Sequence, residues 1–144
     1  MVELREITKD NLEAVLDLRV HEHQESFVSS TAYSLAQAYA YRDTAFPFAV
    51  YEDNTIVGFI MLGYYEARNQ YTLWKFLIDK KYQNKGYGKE ATRMVLDAMK
   101  ADGKYNKVVL CYLEGNEAAK KLYEKFGFVE TDRDEDEIIM ELSF

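Results

Sequence analysis

Proline is almost missing from this chain: Pro47 is the only one in 144 residues. No Ser/Gly-rich or low-complexity tract replaces it, so nothing reads as a linker, and a single domain spanning 1–144 is the simplest organisation. Cysteine is equally scarce. Cys111 alone cannot form an internal disulfide, and its place inside the apolar run KVVLCYL assigns it to packing in a strand rather than to reactivity. The two histidines, His21 and His23, stand two apart, which on a helix sends them to different sides, and no cysteine lies nearby; no metal is expected. No apolar run approaches the ~20 residues of a membrane span, and the amino terminus MVELREITKDNLEAV has no apolar h-region. A soluble, cytoplasmic protein with no membrane partner is therefore expected. Positive charge is also in deficit. Eighteen Lys and Arg against 25 Asp and Glu give a net charge of −7, which argues against nucleic acid as a partner and weakly suits a cationic one.

What is present is apolar patterning. VELREIT alternates as a first strand, and Thr8 caps a helix whose Leu12, Val15, Leu16 and Val20 share one face. Ser34 with Gln37 makes a capping-box pattern for a second helix, with Leu35, Ala38 and Tyr39 turned inward. PFAVYED and TIVGFIMLGYYE read as a hairpin turning at Asp53-Asn54, and YTLWKFLID follows as a third strand of the meander. From Gly86 the period changes to three and four: Ala91, Met94, Val95, Ala98 and Met99 define a long helix that Gly103 ends. KVVLCYL lacks alternation, as a strand covered on both faces does; Ala119, Leu122 and Phe126 line a last helix stopping at Gly127, and EIIMELSF is a final strand. This order describes an α/β (α+β) fold, a mixed and mostly antiparallel sheet with helices on its faces.

DKKYQNKGYGKEA, residues 79–91, carries two of the seven glycines between a strand and a helix. A Walker loop is excluded, because Gly86 and Gly88 are too close and no Ser or Thr follows Lys89. Gly86, Gly88 and Ala91 satisfy G-x-G-x-x-A, yet KKYQNK separates them from the strand and too little chain remains for the further βαβ units of a dinucleotide fold. A third reading is a pyrophosphate seat, built from the backbone N–H groups of Asn84 through Lys89 with charge from Lys85 and Lys89. The loop alone leaves that reading and a plain strand-to-helix turn both open.

A second segment decides between them. FLIDKKYQNKGYGKEA and, about thirty residues on, NEAAKKLYEKFGF together resemble the two signature segments of the GNAT superfamily of acetyl-CoA-dependent N-acetyltransferases. Gln83, Gly86 and Gly88 match the [RQ]-x-x-G-x-[GA] loop, and Asn116, Ala119, Tyr123, Gly127 and Phe128 match the helix pattern. The resemblance implies that the fourth and fifth strands splay apart and that the pantetheine arm lies between them. Its amides would pair with backbone about Phe76, Leu77 and Ile78, Asn116 and Ala119 would approach from the other side, and the pyrophosphate would sit on Gln83, Asn84, Lys85, Gly86, Tyr87, Gly88 and Lys89. Gln83 stands where many relatives carry arginine, which shifts the burden onto backbone N–H groups and Lys85. Within the superfamily, HEHQESFVSSTAYSLAQAYAY and LWKFLIDKKYQNKGYG look most like the bacterial spermidine/spermine (diamine) acetyltransferases.

That resemblance implies acetyl transfer from acetyl-CoA to a primary amine of a polyamine, with no metal and in a homodimer, since the fold often pairs. Rival readings are acetylation of a protein, peptide or aminoglycoside amine, and a non-catalytic acetyl-CoA-binding regulatory module. A phenol with a reference pKa of ~10 stays protonated at neutral pH, so Tyr123 is the expected acid for the departing thiolate. Glu66, with Tyr65, Gln70 and Tyr71 near the same strand ends, is the expected general base. Glu22 and Glu25, three apart, are expected to present carboxylates to the acceptor's ammonium groups. The acidic run DRDEDE, 132–137, reads as a solvated turn, although the last strands of this fold border the acceptor cleft.

Overall fold

β2 (Ala45–Glu52) and β3 (Thr55–Tyr65) form the hairpin at Asp53-Asn54, where Asp53 adopts the left-handed conformation (φ 54°) that such a turn requires. The computed structural model, which describes residues 1–144, extends the sheet on both sides of this hairpin. β1 (Val2–Glu6) pairs antiparallel with β2, and β4 (Gln70–Ile78) antiparallel with β3. β5 (Lys107–Leu113) lies parallel to β4, β7 (Glu137–Ser143) antiparallel to β5, and β6 (Val129–Asp134) forms the far edge, giving the order β1-β2-β3-β4-β5-β7-β6. The sheet is therefore mixed and mostly antiparallel, as the element order implies.

Helices cover both faces. α3 (Tyr87–Asp102) and α4 (Glu117–Lys125) pack on one face through Ala91, Val95, Leu96, Met99 and Tyr123, against Val50, Ile60, Leu73, Val108 and Leu110. α1 (Leu12–Leu16) and α2 (Thr31–Ala40) pack on the other through Val15 and Ala38, against Ala49, Phe59, Met61 and Leu77. Alternate residues of the central strands thus feed two cores, the arrangement expected of strands buried on both sides.

Several boundaries differ from the sequence reading for local reasons. α1 is only five residues long and its N-cap is Asn11 rather than Thr8; Leu16 closes it, and Val20 lies beyond. The chain leaves the helix because buried Asp79 accepts the Arg19 backbone N–H at 2.9 Å, tying this segment to the end of β4. α2 begins earlier than the Ser34 pattern suggests: Ser30 is the N-cap, accepting from Tyr33 N at 3.1 Å, while the Ser34 hydroxyl donates to Ser30 O within the helix. Tyr39 faces solvent, and on α3 Ala98 does too, their inward places taken by Ser34 and Thr92. β5 alternates after all, with Val108, Leu110 and Tyr112 buried and Cys111 exposed. DRDEDE is not simply a turn, because Asp132–Asp134 belong to the edge strand β6 and Glu137 opens β7.

Gly58 marks the tightest backbone approach in the sheet. A Cβ there would meet Leu77 O at 2.5 Å and the Ile78 side chain at 2.7 Å, distances that a real Cβ does not tolerate. Gly58→Ala is therefore expected to lower the urea midpoint by about 1–3 kcal/mol of stability with an unchanged m-value. A midpoint equal to wild type would show that β4 yields freely at Leu77.

Candidate active site

The site originates where β4 and β5 stop pairing. Their parallel register comprises Tyr71 with Val108 and Thr72 with Val109, after which the strands part and leave the β4 edge from Leu73 to Ile78 without a partner on that side. The closed end is pinned. The buried Tyr71 hydroxyl donates to Asp102 Oδ2 at 2.5 Å and accepts the backbone N–H of Lys104 at 3.0 Å, joining β4 to the end of α3; burial and the Asp102 carboxylate hold its pKa above the ordinary value. Trp74 is an extra residue relative to β3, since Leu62 faces Leu73 and Met61 faces Lys75. This bulge re-aims the strand: Leu73 and Phe76 pack toward α3, while Trp74 and Leu77 pack toward α1 and α2. Lys75 turns with Trp74, and its Nζ donates to Ser29 Oγ at 3.0 Å.

The opening is a cleft of about 1220 Å³. On the α3 side its mouth is the glycine loop. Asn84 (φ 64°) and Gly86 (φ 88°) both take the left-handed conformation, and a Cβ on Gly86 would meet nothing within 4 Å, so the loop borders open space there. The first intrahelical bond of α3 is Glu90 N to Gly86 O, so the N–H groups of Tyr87, Gly88 and Lys89 remain available at the positive end of a 16-residue helix. Gly88 serves packing instead. A Cβ there would sit 3.3 Å from the Phe76 ring, so glycine lets α3 start against β4. These features fit a diphosphate at the mouth and an extended arm along the β4 edge.

Deeper on the same side, Asn116 caps α4 by accepting Ala119 N at 3.3 Å, which leaves its amide NH2 to offer to a ligand. Tyr123 is buried on this wall, its ring edge-on to Phe128 at 5.8 Å. Burial alone raises its pKa well above the ordinary phenol value, so at neutral pH the hydroxyl holds its proton.

The profile of the acetyltransferase (GNAT) family matches residues 12–128, most of the chain and both glycine-loop and Tyr123 segments. The chain belongs to the GNAT acetyltransferase family. It is an acetyl-CoA-dependent N-acetyltransferase. This acetyltransferase is 33% identical over 136 residues to the probable spermine N(1)-acetyltransferase of Bacillus subtilis subsp. natto (strain BEST195), with 88% of this chain and 87% of the relative covered. It is 32% identical, at the same coverage, to the spermine/spermidine N(1)-acetyltransferase of Bacillus subtilis (strain 168). Its fold resembles the crystal structure of spermidine N-acetyltransferase from Vibrio cholerae in complex with CoA and spermine, with a TM-score of 0.79 at 19% identity, covering 99% of this chain and 95% of that one.

The acetyltransferase brings most of the anticipated coenzyme residues to one cleft: Phe76, Leu77 and Ile78 of β4, Gln83, Asn84, Gly86, Tyr87, Gly88 and Lys89 of the loop and helix start, and Asn116, Ala119 and Tyr123 of α4. Lys85 is exposed beside the loop rather than on the cleft wall. Gln83 does not point at the mouth as an arginine substitute. Its amide donates to Ile78 O and to Gln24 Oε1, both at 2.9 Å, and accepts in return from Gln24, so it ties the loop to the segment 22–27.

The anticipated acceptor residues are placed elsewhere. Glu66 sits in a single 3-10 turn after β3, 63% exposed, with its carboxylate 3.6 Å from Lys104 and off the cleft wall. Residues Glu22–Phe27 wind as a 3-10 helix, in which i and i+3 eclipse; Glu22 and Glu25 do share a face, but it is the solvent face, and Gln24 and Phe27 line the cleft. The same winding stacks the His21 and His23 rings at 5.7 Å, and no group of three or more potential metal-ligating side chains stands together. Lys75, which the sequence reading did not single out, and Glu137, the last residue of the DRDEDE run, both line the cleft on the α2 side. Desolvation pulls the Lys75 pKa down, against the opposing influence of Glu137.

Cys111 lies beside Glu137, and burial together with that carboxylate pushes its thiol up from 9.0 to about 11. It is exposed yet protonated at neutral pH, and the thiolate is the nucleophile. Alkylation of the free protein by iodoacetamide should therefore rise with pH and level off only above about 11. A plateau two units lower would mean that neither burial nor Glu137 bears on the thiol.

Proposed function

We propose that this acetyltransferase moves the acetyl group of acetyl-CoA directly to a primary amine of a polyamine such as spermidine or spermine. The observation that carries the reading is the unpaired β4 edge facing β5, with the glycine loop at one end and the Tyr123 hydroxyl on the wall. The two Bacillus relatives supply the polyamine. When bound, acetyl-CoA supplies the activated thioester carbonyl. The Asn84–Lys89 backbone and the start of α3 hold the diphosphate, and Asn116 holds the arm from the α4 side. A backbone N–H of β4 about Leu77 or Ile78 polarises the carbonyl, since a fixed donor in a dry cleft needs little reorganisation. Tyr123 Oη gives its proton to the departing sulfur as the C–S bond breaks and the C–N bond forms, and the proton that the acylated nitrogen sheds restores the phenol by way of water. Cys111, the sole cysteine, supports direct transfer: burial and Glu137 raise its pKa, so its thiol is a poor nucleophile at neutral pH.

Glu66 is not retained as the base, because its carboxylate is turned to Lys104 outside the cleft.

Release of free thiol from acetyl-CoA, followed with spermidine, spermine, putrescine, lysine peptides and aminoglycosides, tests the acceptor. Turnover of spermidine or spermine well above the others is expected; turnover confined to peptides would overturn the polyamine reading, and coenzyme binding without turnover of any amine would make the protein a binding module. Tyr123→Phe is expected to lower kcat by about 10²-fold or more with coenzyme affinity retained. Wild-type turnover in that variant, where chemistry limits the rate, would remove Tyr123 from the mechanism.

A further inference from the structure

The cleft wall is almost without negative charge, although the protein carries a net charge of −7. Glu137 is the only carboxylate lining it. Glu137 opens β7 and pairs in register with Leu113 of β5, on the sheet face opposite the one where Tyr112 and Ile138 enter the α3-side core. That places it on the α2 side, as the Trp74 bulge places Lys75 of β4. The splay separates these two strands, so the two charges border the same cavity from opposite strands, on the side away from Tyr123.

Lys75 is held in place. Its Nζ donates to Ser29 Oγ at 3.0 Å and lies 5.6 Å from the centre of the Tyr33 ring of α2; Glu137 of β7, the Cys111 thiol of β5 and Tyr41, whose ring packs on Trp74, are further ionisable groups on this side, and Arg68, Lys89 and Lys125 also line the cleft. Ser29 is neutral and Tyr33 offers its ring face, so no carboxylate is in salt-bridge contact with Lys75; desolvation pulls its pKa down and the charge of Glu137 opposes that. An ammonium in the wall of a cleft proposed to admit a polycation is an odd choice for binding. It makes sense for chemistry. A primary ammonium has a pKa near ~10.4 and no lone pair to attack with, and a neighbouring positive charge disfavours its protonated form. Glu137 provides the complementary need, a counter-charge for a second nitrogen that stays protonated.

We propose that Lys75 and Glu137 orient the acceptor by charge: Glu137 seats one ammonium of the polyamine, and Lys75 keeps the reacting nitrogen at the other end in its neutral form. The inference rests on the polyamine reading above and assigns it two residues. The proton leaves the acceptor nitrogen for water before the C–N bond forms, so no carboxylate base at Glu66 is required. A monoamine lacks the second charge and gains nothing from Glu137.

The test compares wild type with Glu137→Gln and Lys75→Met, using spermidine and n-butylamine as acceptors and calorimetric binding of spermidine to the CoA-loaded protein. Glu137→Gln is expected to lower kcat/KM for spermidine about tenfold through KM and to weaken spermidine binding similarly, while kcat/KM for n-butylamine and the Kd for acetyl-CoA stay within about twofold. Lys75→Met is expected to move the rising limb of the kcat–pH profile with spermidine to higher pH by about one unit, because removing the like charge restores the protonated acceptor. A merely structural role for Lys75 would lower kcat without displacing the limb. An unshifted limb, or an unchanged spermidine KM and Kd in Glu137→Gln while wild type acetylates spermidine, overturns the inference and leaves the function intact. Spermidine binding by wild type without thiol release, weakened in Glu137→Gln, would sink the proposed function and leave the Glu137 assignment standing; no spermidine binding by wild type overturns both.

Discussion

Everything functional in this molecule depends on a pairing that is begun and then abandoned. β4 and β5 share two registered pairs and no more. Parallel strands in a sheet covered on both faces normally run their full length, because unpaired backbone groups in an apolar setting are costly. Here the closed end is secured by the Tyr71 hydroxyl between Asp102 and the Lys104 N–H, and the bulge at Trp74 turns the remainder of β4 away. The unsatisfied edge that results is the recognition surface proposed above, where an amide-bearing arm laid between the strands would supply the hydrogen bonds the sheet omits.

The two faces of the sheet then divide the labour. The α3 side supplies backbone N–H groups, the Asn116 amide and a phenol kept protonated by burial, a set suited to a phosphate-bearing thioester and its leaving sulfur. The α2 side supplies side-chain charge, one sign from β4 and the other from β7. The Gln24–Gln83 amide pair joins the two sides, so the loop at the coenzyme end and the 3-10 segment at the acceptor end move as neighbours.

The sequence made the α3 side legible and the α2 side nearly opaque, for a physical reason. The coenzyme site is built from contiguous segments, in which Gly86, Gly88, Asn116 and Tyr123 hold positions fixed by one turn and one helix, so spacing alone carries the geometry. The acceptor side is assembled across distance. Lys75 faces it only because Trp74 is an extra residue against β3, and Glu137 faces it only because β7, rather than β6, lies beside β5. Glu22 and Glu25 misled for a related reason: three-residue spacing fixes a shared face but not its direction, and the 3-10 winding gave the cleft to Gln24 and Phe27. Gln83 looked like a weakened phosphate ligand because its partner, Gln24, is 59 residues away.

The central claim is that the splayed edge of β4 is completed by the coenzyme. Hydrogen exchange resolved to single amides, with and without saturating acetyl-CoA, addresses it most directly. Strong new protection is predicted on β4 between Leu73 and Ile78 and in the Asn84–Lys89 loop, with the β1–β2 ladder unchanged. Protection confined to the loop, with the β4 edge exchanging as freely as before, would contradict it.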